Sequence, residues 1–145
     1  MNICVINGPN LNFLGRREPE IYGYQTYADL VTYLQDAAQK AHHQVEVFQS
    51  NHEGTLIDYL QEHAHRFDGI IINPGALTHY SYALYDCLKS LSIPAVEVHL
   101  SDIRAREEFR ARSVIRPACI AQIVGKGFLG YLEAMTLLEK GYSKP

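Results

Sequence analysis

Five short runs rich in Val and Ile, at residues 2–6, 45–49, 69–72, 95–98 and 119–124, punctuate the chain. Each has the length of a strand, and β-branched side chains pack well on a pleated, buried surface. Between the runs the apolar positions change period. Leu30, Val31, Leu34, Ala38 and Ala41 recur at mostly helical spacing, and Thr26 followed by Asp29 has the pattern of a capping box at that helix's start. Leu56, Ile57, Leu60, Ala64 and Phe67 predict a second helix. Ala83, Leu84, Cys87, Leu88 and Leu91 predict a third, stopped before Pro94. A short charged helix is predicted over residues 103–112, and a last one, carrying Leu129, Leu132, Met135, Leu137 and Leu138, closes at Gly141.

Strand alternating with helix implies right-handed crossovers, hence a mostly parallel sheet covered on both faces. The predicted architecture is α/β: a flavodoxin-like, doubly wound, five-stranded parallel sheet, with residues 1–145 forming a single domain. Such sheets bind ligands beyond the carboxyl ends of their strands, which directs attention to the residues after each apolar run.

Composition narrows the chemistry. With 47% hydrophobic and 20% charged residues the chain is of ordinary globular type. Its net charge of −3 provides no broad basic face, so nucleic acid is not an expected partner. No run approaches the ~18 apolar residues of a membrane span, and the first strand begins without a leader, so the expected location is the cytoplasm, away from membranes. Cys4, Cys87 and Cys119 form no C-x-x-C pair and sit in apolar segments, as reduced core thiols do. His42 and His43 are adjacent, and His63 and His65 are two apart. Neither pair has the facing a helical metal site requires, so all four read as solvated positions and no metal is predicted.

The first strand is followed by Asn7-Gly8-Pro9-Asn10 and a polar stretch through Gly15, Arg16, Arg17, Glu18, Tyr22 and Gly23. About nineteen residues separate strand from helix here, against a usual connection of ~2–6, which reads as a lid. Arg17 either serves the site or simply pairs with Glu18 or Glu20. After the third run comes Asn73-Pro74-Gly75-Ala76-Leu77-Thr78-His79-Tyr80-Ser81; His79 faces a ligand, or Thr78 or Ser81 merely caps the next helix. The fourth run ends Glu97-Val98-His99. Alternation places Glu97 and His99 on one face, either as a general acid oriented by a carboxylate or as a simple ion pair. The chain has neither G-x-G-x-x-G nor a phosphate-binding P-loop, which counts against a flavin- or nucleotide-binding module. A catalytically inactive subunit of the same fold is the other alternative.

Ile6 to Gly23, in the pattern I-N-G-P-N-L-N-x-L-G-R-R-E-P-x-x-Y-G, resembles the opening of the type II 3-dehydroquinate dehydratases. N-P-G-A-x-T-H-x-S from Asn73, E-V-H-L-S from Glu97 and R-E-E-F-R from Arg106 resemble the same family in the same order. The resemblance implies a cofactor-free and metal-free elimination of water from 3-dehydroquinate, in the shikimate pathway. It implies Tyr22 as base, His99 as acid oriented by Glu97, Arg17 and Arg106 as supports of the phenolate, and Asn10 as holder of a water or donor at the enolate. Asn73, His79 and Arg110 would read hydroxyls, backbone N–H groups of Leu100 and Ser101 would take the carboxylate, and Asp86 would reach a neighbouring subunit's site in a homododecamer. Free tyrosine is only about 0.1% phenolate at neutral pH, so such a base requires cations beside it.

Overall fold

The five apolar runs pair into one parallel sheet in a computed structural model that describes residues 1–141. The strands are β1 (Asn2–Asn7), β2 (Gln44–Gln49), β3 (Gly69–Asn73), β4 (Ala95–His99) and β5 (Ala121–Val124), in the order β2-β1-β3-β4-β5. This is the flavodoxin-like order, with its switch point between β1 and β3. The inner strands β1, β3 and β4 are buried on both faces; β1 and β3 accordingly run apolar between their terminal residues, β4 buries Glu97 and His99 among apolar neighbours, and the edge strands β2 and β5 carry Gln44, Glu46 and Gln122.

Helices α2 (Tyr27–Lys40) and α5 (Leu129–Glu139) cover one face, over Ile3, Val5, Ile71, Val96 and Val98. Helices α3 (Glu53–His63) and α4 (Tyr82–Ser90) cover the other, over Cys4, Ile6, Ile70 and Ile72. The split follows the two-residue period of a strand. Each wholly buried Leu or Ile in these layers stabilises the fold by roughly 1.5–3 kcal/mol. The predicted capping box of α2 is formed: Asp29 N donates to Thr26 Oγ1 at 3.1 Å, and Thr26 N donates to Asp29 Oδ2 at 2.9 Å. All three cysteines are buried thiols.

Three expectations are corrected. Residues 103–112 form no α-helix but two 3-10 turns, Ile103–Ala105 and Glu108–Ala111, separated by extended backbone at Arg106 and Glu107. Only Ile103 of these turns is buried and Phe109 is exposed, so no apolar stripe exists to dock a helix. The connection from β4 to β5 is therefore irregular, and α5 follows the sheet rather than lying between two strands. His43 is not solvated: its side chain is 9% exposed, with Nδ1 3.2 Å from the amino terminus and Nε2 2.5 Å from Glu139. The fifth strand begins at Ala121 instead of 119, because Ile120 N bonds Ala95 O from outside the ladder.

The ends of β1 and β3 cross backbone to backbone. Gly8 N donates to Asn73 O at 2.8 Å, and a Cβ on Gly8 would come within 2.5 Å of Pro74 O. Gly75, at φ +60°, would place a Cβ 3.0 Å from Pro9 O. Two glycines thus let the post-β1 and post-β3 loops interlock beside the switch point.

Candidate active site

A cavity of about 120 Å³ opens at the carboxyl ends of β1, β3 and β4. It is small beside the roughly 300–1,000 Å³ of drug-sized ligand pockets, a volume suited to a small polar ring. Its lining includes Asn10, Arg17, Tyr22, Asn73, His79, His99, Leu100, Ser101, Arg106 and Arg110, which brings together ten of the twelve site residues predicted from sequence. Glu97 lies behind His99, and Asp86 is exposed on α4 outside this lining.

The long connection after β1 is ordered by local turns. Leu11 and Leu14 are buried and anchor its start. Asn10 adopts φ 71°, and its N–H is taken by Asn51 Oδ1 at 2.9 Å, while Gln49 Nε2 donates to Gly8 O at 3.2 Å. The turn that would bind a phosphate in a nucleotide protein thus offers little: Pro9 has no N–H, and that of Asn10 is already used. Further on, a single helical turn, α1 (Pro19–Tyr22), starts from Glu18 at φ 35° and ends at Gly23 at φ 77°.

Tyr22 stands at the end of α1 with two guanidinium groups on it. Arg106 Nη1 donates to Tyr22 Oη at 2.7 Å and Arg17 Nη2 at 3.2 Å; their Cζ atoms lie 5.3 and 4.5 Å from the ring centroid. Arginine cannot lose its proton and can only donate, so the Tyr22 oxygen accepts from both groups. Arg17 also lies 3.5 Å from Glu18, so the simple ion pair and the site contact coexist. Arg106 further reaches Ser101 Oγ at 3.3 Å.

His99 and Glu97 form the second centre. His99 Nε2 is 2.5 Å from Glu97 Oε2, and Glu97 is fully buried. Burial pushes this carboxyl up, but the His99 hydrogen bond and charge, with bonds from Thr78 and Gln122, outweigh it and hold Glu97 below its usual range. With Nε2 engaged, Nδ1 is the ring nitrogen left to serve the cavity that His99 lines.

Around these centres sit groups suited to hydroxyls and carboxylates. Asn73 is fixed at both ends of its amide: Oδ1 accepts from Gly75 N at 3.2 Å, and Nδ2 donates to Tyr131 Oη at 3.1 Å. Tyr131, wholly buried on α5, donates in turn to Asn7 Oδ1 at 2.6 Å. His79 Nδ1 bonds Arg112 O at 2.7 Å, which leaves Nε2 as an acceptor; burial lowers the pKa of this imidazole and keeps it neutral. The capping alternative falls to Ser81, whose Oγ accepts from Leu84 N at 3.0 Å, while Thr78 turns inward to Glu97. The carbonyls of Leu100 and Ser101 are bonded to the N–H groups of Gly127 and Gly125 beyond β5. Arg110 is held by Glu107 at 2.5 Å.

Sequence reasoning gave no orienting role to Tyr131, Asn7, Ser113 or Gln122 and offered Thr78 only as a helix cap, yet these five orient the named residues. One signal was available: Gln122 is a polar residue inside an apolar strand, and its partner across the ladder is Glu97. Among the described residues no group of three or more His, Cys, Asp or Glu side chains is arranged to hold a metal ion, and no helix is long and apolar enough to cross a membrane.

Comparison with known proteins agrees with this geometry. Residues 1–139 match the family model described as dehydroquinase class II. The 3-dehydroquinate dehydratase of Clostridium acetobutylicum is 56% identical over 144 residues, covering 99% of this chain and all of the relative. A crystal structure of type II dehydroquinase from Butyrivibrio crossotus superposes with a TM-score of 0.94 at 52% identity, covering 96% of this chain and 97% of that one. The corresponding structure from Propionibacterium acnes gives a TM-score of 0.92 at 41% identity, covering 96% of each chain. The chain belongs to the class II dehydroquinase family.

Proposed function

We propose that this protein is a hydro-lyase that removes water from 3-dehydroquinate to give 3-dehydroshikimate, a step of the shikimate pathway, with Tyr22 as base and His99 as acid. Membership of the family supports the reaction. The observation that carries the assignment of residues is the pair of guanidinium donors at 2.7 and 3.2 Å from one tyrosine oxygen, on a cavity that His99 also lines.

In this reading the Tyr22 phenolate takes the proton next to the substrate ketone, and the resulting enolate is held by Asn10, directly or through a water. His99 then gives its proton to the departing hydroxyl, which leaves as water. The two proton transfers use different groups, as a stepwise elimination through an enolate requires. Asn73, His79 and Arg110 read the ring hydroxyls, and the N–H groups of Leu100 and Ser101 take the carboxylate. None of these steps calls on a cofactor or metal. Asp86, exposed on α4, reaches the site of a neighbouring subunit in a homododecamer, with each chain acting as a single catalytic domain in the cytoplasm.

The test is to add 3-dehydroquinate and follow the ultraviolet absorbance of the conjugated enone, with Tyr22→Phe as the folded control. Turnover in the natural protein and its loss in the control are expected. Absorbance that rises no faster than in the control would sink the assignment.

A further inference from the structure

Glu97 is a fully buried carboxylate with four hydrogen-bond donors on it. Oε2 accepts from Thr78 Oγ1 at 2.7 Å, from Gln122 Nε2 at 2.9 Å and from His99 Nε2 at 2.5 Å; Oε1 accepts from Ser113 Oγ at 2.8 Å. The donors come from three segments besides β4. Thr78 lies in the 3-10 turn Gly75–His79, Ser113 in the irregular connection before β5, and Gln122 on β5 itself. Val114 N donates to Thr78 O at 2.7 Å and ties two of these segments together. Ser113 Oγ accepts from Arg116 N at 3.0 Å, which leaves its proton for Glu97.

An ionised carboxylate has about four lone-pair sites and no proton. Four donors match that number, three of them crowded on Oε2 and one on Oε1. A protonated Glu97 would present an O–H to groups that are themselves donating, and one bond at least would become a clash of protons. Thr78 Oγ1 and Ser113 Oγ are also 2.9 Å apart. Each hydroxyl has one proton, so both can point at Glu97 only while the carboxylate accepts from both. Arg17, Tyr22, His79, Arg106 and Arg110 face the same cavity as His99, and none of them hydrogen-bonds Glu97.

We propose that Thr78, Ser113 and Gln122 act together as positioning residues that keep Glu97 an anion and so hold a proton on His99 Nε2, which leaves Nδ1 to carry the proton given to the departing hydroxyl. When the shell is thinned, Glu97 takes the Nε2 proton, and His99 is left a neutral imidazole whose single proton sits on Nδ1, a far weaker acid toward the departing hydroxyl than a ring protonated on both nitrogens. The inference rests on His99 being the acid, but the tautomer can be read without turnover.

The experiment is a nitrogen–proton correlation spectrum of the protein labelled at histidine ring nitrogens, at neutral pH, with His99→Gln to assign the signal. In the natural protein His99 is expected to carry a proton on Nε2. In Thr78→Val the Nε2 proton is expected to pass to Glu97 and leave a neutral ring protonated on Nδ1 alone, with kcat lowered by about 10- to 100-fold and KM changed by less than about twofold, while Thr78→Ser, which keeps the hydroxyl, restores both. Gln122→Leu, on the edge strand, carries the same expectation and serves if Thr78→Val does not fold. A bare Nε2 in the natural protein, or ring signals unchanged in the folded variants, overturns the proposal. A correct tautomer in a protein without dehydratase turnover instead refutes the functional reading and leaves the role of the shell standing.

Discussion

Replacing Arg17 by alanine tests the base. Two contacts are lost with it: the 3.2 Å bond to Tyr22 Oη, and the cation 4.5 Å from the ring centroid. A hydrogen bond to a charged group contributes about 1.5–3 kcal/mol, and a cation over an aromatic face about 0.5–2 kcal/mol. In the proposed mechanism they together stabilise the phenolate, and the enolate that forms beside it, by about 2–5 kcal/mol. At ~1.4 kcal/mol per tenfold in rate, kcat falls by about 30- to 5,000-fold. The Arg17 side chain is 27% exposed and shared with Glu18, and both effects place the outcome toward the lower end. The enone absorbance assay over a range of substrate concentrations separates kcat from KM. The loss is expected in kcat, with KM changed by less than about threefold, because the interaction strengthens as charge develops. Millimolar ethylguanidinium, which restores a cation without restoring the chain, is expected to recover part of the rate. A tenfold rise in KM at unchanged kcat, with no rescue, would mean that Arg17 only positions substrate.

Tyr131→Phe removes the hydroxyl between Asn7 and Asn73 and leaves two buried amide atoms unmatched. About 1–3 kcal/mol of stability is lost, at roughly 2–4 °C in Tm per kcal/mol for a chain of this size, and KM rises more than kcat falls; calorimetry and steady-state kinetics check both, and an unchanged KM would detach Tyr131 from substrate reading. Glu97 sets the acid limit of stability. Its folded carboxyl is held below the ordinary value of 4.5, so its contribution is present above about pH 4.5 and is lost as pH falls through the lower folded value. The Tm difference between the natural protein and Glu97→Gln is therefore expected to shrink between pH 6 and pH 3, and a constant difference across that range would contradict it.

Strand β3 was legible because burial on both faces leaves its centre wholly apolar, as in Ile70, Ile71 and Ile72. Residues 103–112 were misread because arginines and glutamates at three- and four-residue spacing look helical when the missing apolar stripe is not weighed. Tyr22 and Arg17 were legible only as letters in a family motif; their pairing depends on a turn that starts at a strained Glu18, which no periodicity announces. The shell around Glu97 was illegible for a simpler reason. Its members lie 16, 19 and 25 residues away along the chain and meet only once the sheet is assembled.

The bond from Asn73 to Tyr131 joins positions 58 residues apart, and it gives the site a birth order. On a ribosome β1 and β3 emerge first and can pair, but the amide of Asn73 has no fixed partner for Nδ2 until α5 has been made and docked on the sheet. The last helix among the described residues is thus the one that fixes the Asn73 amide, so a nascent chain arrested before residue 131 holds Tyr22, His99 and both arginines and still lacks the partner that orients Asn73.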